Sequence, residues 1–300
     1  MRISVVIPTH NRKDALRRCL AAAMSQDYPD YDVIVVDDGS TDGTGEMVQR
    51  EFPQVRTLRQ EPCRGPAAAR NRGIEAASGE MVAFTDDDCV VPPEWLTTHA
   101  SYYADPAVGA VGGVQMSTPP NFFDRFEMAH YAHVYTEFQR ITALGRIGGL
   151  VTNNLSIRRQ VVDQAGYFDE AFLTGSDPEF TRRIAMAGYV LIHDPALRVE
   201  HLKVHTLRSY LRMRFRRGCG SLLNEIKVGR LSLRQFVPLV NLPRAWRDWQ
   251  NFRSLFGSDA ATLFRFWTLT LLVRVVDVAG RCYYFWTVGH RYSRHRGERP

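Results

Sequence analysis

Short runs of apolar, mostly β-branched residues recur through the first 85 positions, with polar clusters after them. These runs cover residues 3–7, 32–36, 55–58 and 81–85. Helical patterns lie between them, one through Leu16–Ala23 and one over residues 66–77. Strands that alternate with helices of this length predict βαβ units and a mostly parallel sheet flanked by helices, an α/β fold.

Three polar clusters follow directly after three of the predicted strands. They are Pro8–Asn11, Asp37–Gly39 and Asp86–Asp88. In an open α/β sheet, ligands bind beyond the carboxyl ends of the strands, so the three clusters are expected to converge on one edge. Ser40 or Thr41 is expected to cap the helix after the second cluster.

The acidic cluster Asp86–Asp88 stands at the mouth of a core strand. Its three carboxylates repel one another and are costly to desolvate unless a cation or hydrogen-bond donors neutralise them. Oxygen ligands so close together suit Mg²⁺ or Mn²⁺. An acidic turn that caps the next helix is the alternative for such a run taken alone.

The polar segment after the first strand excludes a dinucleotide-binding dehydrogenase. That fold needs a glycine fingerprint there, so that backbone can approach a pyrophosphate. Residues 8–12 read P-T-H-N-R and contain no glycine.

The middle of the chain adds a strand over residues 108–114 and an aromatic-rich, helical insertion over residues 122–138. A glycine turn then enters a strand that carries Asn153 and Asn154. Farther on, Pro178 fits the first turn of a helix, with Asp177 just outside it as the cap. A capping role and a catalytic role for Asp177 are compatible.

The 300 residues, of which 45% are hydrophobic, suit one large domain or a domain with an appendage. The chain enters a strand pattern directly from Met1, so no signal peptide is expected. The five cysteines are scattered without a C-x-x-C pair. This pattern predicts unbridged thiols and argues against a zinc site.

Charge is distributed unevenly along the chain. Residues 1–200 hold 19 Lys and Arg against 27 Asp and Glu, whereas residues 201–300 hold 19 against 5. The split predicts an acidic or neutral catalytic body and a basic region that faces anionic lipid, nucleic acid or an acidic substrate. A solvated basic helical tail is the alternative. Because no nucleic-acid-reading motif is present, nucleic acid is not expected as a partner.

Two helices are predicted in the basic third, over residues 209–226 and 263–286. The second is the most apolar stretch, but its charged residues make it unsuitable as a membrane span. Arg274, Asp277 and Arg281 share one face of it. We therefore expect an amphipathic helix that lies in a membrane interface with a basic polar side and aromatic anchors. Packing on the catalytic domain or in a homodimer is the alternative. Residues 292–300 are expected to be disordered.

Seven motifs in order carry a family resemblance. They are V-V-I-P-T-H-N-R, V-I-V-V-D-D-G-S-T-D-G-T, G-P-A-A-A-R-N-R-G-I, F-T-D-D-D, N-N-L-S-I-R-R, G-Y-F-D-E and S-D-P-E-F-T-R-R-I. With them, residues 3 to about 205 resemble the family 2 glycosyltransferases of the GT-A fold, a Rossmann-like mixed sheet. The resemblance implies a nucleotide-sugar donor, Mg²⁺ or Mn²⁺, and inversion at the sugar.

The resemblance also implies roles for the matching residues. The nucleotide-sugar set is Pro8, Thr9, Arg12, Asp38, Arg70, Asp86 and Asp87; the metal set is Asp88 with Asp86; and the catalytic base is Asp177. His201, after a predicted strand, is expected near the diphosphate or as a further metal ligand, with a structural role as the alternative. Asn153 and Asn154 are expected either on the acceptor side or in a turn, and Glu179 is expected on the acceptor side. Asp38 would accept from a uracil-type N–H, and Asp86 would hold the ribose. Whether Asp87 or Asp88 ligates the metal stays open.

The chemistry is consistent without the family name. A departing nucleoside diphosphate develops negative charge that a cation stabilises, and the acceptor hydroxyl needs a carboxylate to take its proton. The family commonly has Glu-Asp at the base position, whereas this chain has Ser176-Asp177, which leaves Glu179 as a second candidate base. The nearest analogue of the processive Q-x-x-R-W segment, residues 214–219, lacks the tryptophan, which indicates single addition.

Together these patterns predict a catalytic domain over residues 1–205 and a basic helical region over residues 206–300. The expected activity is transfer of a sugar, UDP-linked by preference, to a lipid-linked or cell-envelope glycan. The expected location is cytoplasmic and peripheral at the inner face of the cell membrane. A non-catalytic nucleotide-sugar-binding or scaffold protein that keeps the fold is the alternative.

Overall fold

The chain forms two compact units. A computed structural model describes residues 1–117, 120–142, 149–172, 174–202, 205–229, 231–232, 236–237, 242–257 and 259–289. The first unit holds Met1–Pro119, Val134–Ala171 and Ser176–Lys203, and the second holds Pro120–His133, Phe172–Gly175 and Val204–Pro300. Two segments from the predicted catalytic part therefore pack with the C-terminal helices. The domain boundary at residue 205 stays a prediction.

One mixed sheet organises the first unit. Its strands are β1 (Ile3–Thr9), β2 (Tyr31–Asp37), β3 (Arg56–Arg59), β4 (Met81–Phe84), β5 (Cys89–Val90), β6 (Val108–Met116), β7 (Gln139–Ile141), β8 (Leu155–Arg158) and β9 (Val190–His201). They lie in the order β3-β2-β1-β4-β8-β6-β9-β5, and β7 pairs with β9. Strands β3, β2, β1 and β4 are parallel, β8 is antiparallel to both neighbours, and β6 and β9 are parallel.

Helices cover both faces of this sheet. In chain order the helices of the protein are α1 (Lys13–Ala23), α2 (Thr44–Glu51), α3 (Pro66–Ala76), α4 (Trp95–Ser101), α5 (Phe122–His130), α6 (Ala132–Thr136), α7 (Val161–Ala165), α8 (Ser176–Met186), α9 (Leu207–Lys227), α10 (Leu242–Phe256) and α11 (Ala260–Tyr284). Side chains alternate across a strand, so Val5 packs with α1 and α4, and Val6 with α3 and α8. The predicted α/β fold is confirmed.

Local details differ from the sequence predictions at two places. Helix α2 starts after Gly43, whose φ of 82° favours glycine, and not after Ser40 or Thr41. Helix α8 starts at Ser176, so Asp177 lies in its first turn and is not a cap outside it. The insertion over residues 122–138, predicted to be helical, contains the two helices α5 and α6. The tail over residues 292–300 lies outside the described residues.

The second unit is held together by the close packing of α9 on α11. A Cβ on Gly218 would collide with the Asp277 carbonyl oxygen, and one on Gly280 with that of Phe215. Arg214 forms a buried pair with Asp277, Nη2 to Oδ2 at 2.6 Å. The polar side of α11, predicted to face lipid headgroups, is therefore turned toward α9.

Among the residues that the structure describes, no helix combines the length and the apolar character needed to cross a membrane. All five cysteines are free thiols, as the sequence predicts.

Candidate active site

The three side chains of the acidic run after β4 have different sets of partners, although Asp87 and Asp88 share Arg12. Asp86 accepts from Arg70 Nη2 at 2.8 Å. Asp87 accepts from Thr9 Oγ1 at 2.8 Å and from Arg12 Nη1 at 3.1 Å. Asp88 is the one that approaches His201, with Oδ1 and Nε2 3.5 Å apart. The convergence of the polar clusters on one sheet edge is therefore confirmed for Thr9, Arg12 and the acidic run.

The three carboxylates are not electrostatically equivalent. Burial raises the pKa of Asp87 to about 6, against the lowering effect of the Arg12 charge, while the Asp88 charge raises it further. Asp86 is only partly buried and lies against the cationic Arg70. The hydrogen bonds that Asp87 accepts from Thr9 and Arg12 connect the acidic run to the end of β1.

Asp88, Cys89 and His201 form a possible metal-binding group, with one donor atom from each within 4.8 Å of the others. Strand pairing creates this group, because β5 and β9 are antiparallel with Cys89 opposite His201. Burial raises the pKa of the Cys89 thiol well above its ordinary value. Asp88 and His201 offer a carboxylate and an imidazole, a set that fits a divalent cation. Asp86, predicted as a further ligand, lies outside this group.

Asp38, the predicted base-contacting acid, is surrounded by donors from its own chain. Oδ1 accepts from Gln60 Nε2 and the Arg64 N–H, and Oδ2 from the Cys63 thiol and the Gly65 N–H. Burial raises the pKa of Asp38, but the hydrogen bonds from Cys63, Gln60 and the two N–H groups outweigh it and hold the pKa below its usual value. A carboxylate accepts about four hydrogen bonds, so these donors fill it.

This arrangement changes the expected role of Asp38. To contact a base N–H, its carboxylate must exchange one of its present donors, and of the two side-chain donors Cys63 is exposed and Gln60 is buried. The sequence did not single out Gln60 or Cys63, because neither belongs to a motif with a known spacing. Pro8, also predicted here, is buried in β1 opposite Val36.

Asp177 lies in the first turn of α8, and its Oδ2 accepts from the Thr152 N–H at 3.3 Å. Burial raises its pKa, the positive charge of Arg70 lowers it, and the negative charge of Asp86 raises it. Arg70 thus acts electrostatically on both Asp177 and the acidic run. A carboxylate with a raised pKa is a stronger proton acceptor than an ordinary one.

Glu179, the second candidate base, is engaged by its own helix. Its two oxygens accept from Arg183 Nε at 2.8 Å and from Nη2 at 2.9 Å. This buried, two-point ion pair makes Glu179 a stabilising residue of α8 and favours Asp177 as the base.

The two predicted acceptor-side amides lie in different surroundings. Asn154 is fully buried and bonds to Trp95, His99 and the carbonyl oxygens of Val114 and Leu197. It therefore belongs to the core, and its contact with an acceptor stays a prediction. Asn153 donates to the Gln115 side chain, and its Oδ1 is buried without a hydrogen-bond partner in the described part of the chain.

Comparisons with known proteins identify the family to which the chain belongs. The sequence model of Glycosyl transferase family 2 matches residues 4–166. The chain is 33% identical over 250 residues to Glycosyltransferase AglE of Haloferax volcanii, a match that covers 79% of this chain and 78% of that protein.

Two solved structures are similar in fold. The mannosyltransferase PcManGT from Pyrobaculum calidifontis, in complex with GDP-Man and Mn²⁺, has a TM-score of 0.69 at 24% identity, over 96% of this chain and 88% of that one. S. aureus TarS 1–349, in complex with UDP-GlcNAc, has a TM-score of 0.58 at 18% identity, over 97% and 92%. The family match, the relative and the shared sheet lead to one conclusion: this chain belongs to glycosyltransferase family 2 and has the GT-A fold.

Proposed function

We propose that the chain transfers one sugar per encounter from a nucleoside-diphosphate sugar to an acceptor hydroxyl, with inversion at the anomeric carbon. The observation that carries the proposal is the position of Asp177, a half-buried carboxylate on which the charges of both Arg70 and Asp86 act. Asp177 supplies a proton acceptor near Arg70, at the edge of the sheet where we propose that the sugar donor binds. Attack from the face opposite the leaving group would invert the sugar.

Each step of the proposed reaction has a residue of this chain. Asp177 takes the proton of the acceptor hydroxyl, since burial raises its pKa. Arg70 and Arg12 lie at the acidic edge, where their charges would stabilise the diphosphate. Asp86 would hold the ribose, and Asp38, with Thr9, would contact the base. UDP is the preferred nucleotide, supported by the UDP-GlcNAc complex of TarS.

Asp88 and His201 are the residues proposed to hold a divalent cation. When bound, Mg²⁺ or Mn²⁺ would stabilise the charge of the leaving diphosphate as a Lewis acid. The pairing of imidazole with carboxylate suits Mn²⁺ better than Mg²⁺, and PcManGT is in complex with Mn²⁺. The position of His201 beside Asp88, and of Thr9 beside Asp87, favours Asp88 as the ligand.

The proposed acceptor is a lipid-linked or cell-envelope glycan, reached from the inner face of the cell membrane. The basic composition of residues 201–300 supports this location. A homodimer formed through the C-terminal helices is the other arrangement that these helices allow.

The test is a thermal-shift screen of nucleotide sugars with and without Mn²⁺, followed by NMR of the product's anomeric carbon. We expect UDP-sugars with Mn²⁺ to raise the melting temperature most, because ligands that bind the native state stabilise it. Asp88→Asn should remove the Mn²⁺-dependent part of the shift, and Asp87→Asn should keep more of it. A product of retained configuration would overturn inversion. Donor binding without turnover on any acceptor would favour the scaffold alternative.

A further inference from the structure

Helix α11 carries an apolar face that the described residues of the second unit leave uncovered. The large residues of this face are Phe264, Leu271, Val275, Tyr283 and, directly after the helix, Trp286. Phe264 is 73% exposed, Leu271 57%, Val275 55% and Trp286 76%. Thr268 and Ala279 fill the positions between them. We call this set of seven residues the α11 stripe.

The stripe is the outer side of a helix whose other side is fully engaged. Phe266, Leu269 and Val273 are buried, and Gly280 allows α11 to contact the backbone of α9. Two of the charges that interrupt this apolar segment are turned inward: Asp277 pairs with Arg214, and Arg281 Nη2 donates to Ser221 at 3.3 Å, whereas Arg265 near the start of the helix is exposed. Around Asp277 and Arg281 the usual order of an amphipathic surface helix, polar side outward, is therefore reversed.

A row of arginines runs beside the stripe on the neighbouring helix α9. Arg208, Arg212 and Arg216 are exposed and follow one another at four-residue spacing. Helices α9 and α11 are antiparallel, because Gly218 meets Asp277 whereas Phe215 meets Gly280.

The ring of Phe215 reaches Tyr283 of the stripe, with centroids 5.5 Å apart. Arg212 and Arg216 lie on this flank of α9. Arg214 lies on the opposite flank, where it binds Asp277. The exposed arginines and the stripe therefore share one surface.

The acidic Glu127 lies on the other flank of α9 and is already neutralised there. It accepts from Arg214 at 3.0 Å and from Arg217 at 2.6 Å, and its own side chain is 15% exposed. Tyr210 also donates to Glu127 at 2.5 Å. The exposed arginines of α9 therefore make this surface positive.

We propose that the α11 stripe docks on an anionic lipid membrane, with α11 lying in the interface and the α9 arginines at the headgroups. An anionic membrane interface binds helices that expose apolar and aromatic side chains beside a row of basic residues. The α11 stripe and the arginines of α9 have this composition. A second copy of the chain fits this surface less well, since pairing of two stripes would bring two arginine rows together. The inference rests on the peripheral-membrane part of the proposed function and not on the transfer reaction.

The test is co-sedimentation of the full chain with vesicles of phosphatidylcholine alone and with vesicles in which about a third of the lipid is anionic phosphatidylglycerol. We expect Leu271→Ser, Val275→Ser and Trp286→Ser together to lower the partition coefficient by about 100-fold. Arg212→Gln with Arg216→Gln should lower it by about 20-fold on anionic vesicles only. The matched control is Met186→Ser on α8, an exposed apolar residue outside the stripe, which should change nothing.

Three outcomes would overturn the proposal. The first is unchanged partitioning of the triple variant, and the second is no binding of the parent chain to the vesicles. The third is a dimer of the parent chain, seen by sedimentation velocity without vesicles, that the triple variant does not form, because a second copy would then cover the stripe. The donor-induced thermal shift is measured on every variant. If the parent chain shows no donor-induced thermal shift, the proposed function alone is contradicted. If the parent chain shows the shift but does not bind vesicles, only this inference is contradicted.

Discussion

The guanidinium of Arg12 bridges two carboxylates of the acidic run, with Nη1 2.5 Å from Asp88 Oδ2 and 3.1 Å from Asp87 Oδ1. The same Asp88 faces His201 on its other oxygen. A positive charge from the protein therefore already neutralises the carboxylate that we propose as the cation's ligand. Arg12 and a divalent cation compete for Asp88.

Removing Arg12 should therefore strengthen cation binding in the absence of nucleotide. A hydrogen bond to a charged group contributes about 1.5–3 kcal/mol, and the partial exposure of Arg12 reduces this to about 1 kcal/mol. We expect Arg12→Gln to tighten Mn²⁺ binding by about fivefold, measured by EPR titration of the free ion. Arg18→Gln, an exposed arginine of α1, is the control. Weaker Mn²⁺ binding by Arg12→Gln would show that the arginine and the cation do not compete.

The assignment of the base predicts a contrast between two neighbouring carboxylates. Asp177→Asn should lower kcat by about 10²–10⁴-fold at saturating donor, since the amide cannot accept the acceptor's proton. Glu179→Gln should act on stability, because it removes the ion pair with Arg183. Turnover and melting temperature are measured on both variants. Near-normal turnover of Asp177→Asn would refute the assignment, as would a Glu179→Gln enzyme of normal stability that has lost turnover.

The pKa of Asp177 predicts the acidic limb of the rate profile. Burial raises this pKa, so the base becomes protonated, and kcat falls, at a higher pH than for an ordinary aspartate. Arg70 lowers the same pKa by its charge. We expect Arg70→Gln to move the limb of kcat to still higher pH, whereas Arg72→Gln, an exposed neighbour on α3, leaves it in place. A limb that stays in place in Arg70→Gln would mean that another group controls it.

A buried histidine predicts how stability depends on pH. His99 is fully buried between Ser156 and Asn154, and burial lowers its pKa to about 4. Between pH 6.5 and 4 the unfolded chain takes up a proton that the folded chain does not. This linkage removes about 3 kcal/mol of unfolding free energy as the pH falls through that window.

The variant His99→Gln separates this effect from the titration of the carboxylates. Its unfolding free energy, from urea titrations at pH 7 and 4.5, should fall less than that of the parent chain over the same interval. Equal losses in the two proteins would mean that His99 is protonated in the folded state.

The sequence alone determined the strands and the edge at which the site forms. Each β-branched run became a strand within two residues of its predicted ends, because such runs fit a buried pleated surface whatever surrounds them. Polar residues after Ile7, Val36 and Phe84 meet because parallel strands end on the same side of a sheet. The family followed from the motifs at those ends.

The pairing of distant elements was decided by the tertiary structure. Asp88 meets His201 only through the register of β5 on β9, which sets Cys89 opposite His201. Asn154 looked like an acceptor-side amide, yet the fold encloses it with Trp95 and His99. No local pattern encodes such partners, since they depend on which segments the sheet brings together.

Helix α11 shows the same division most clearly. Its sequence predicted two unlike faces, and that is correct. Which face is packed depended on Gly218 and Gly280, which let α9 approach, and on Arg214, which binds Asp277 inside the unit. The periodicity of a sequence shows that a helix has two different faces. Which face is exposed to solvent depends on whether the charged residues of the helix have ion-pair partners inside the protein.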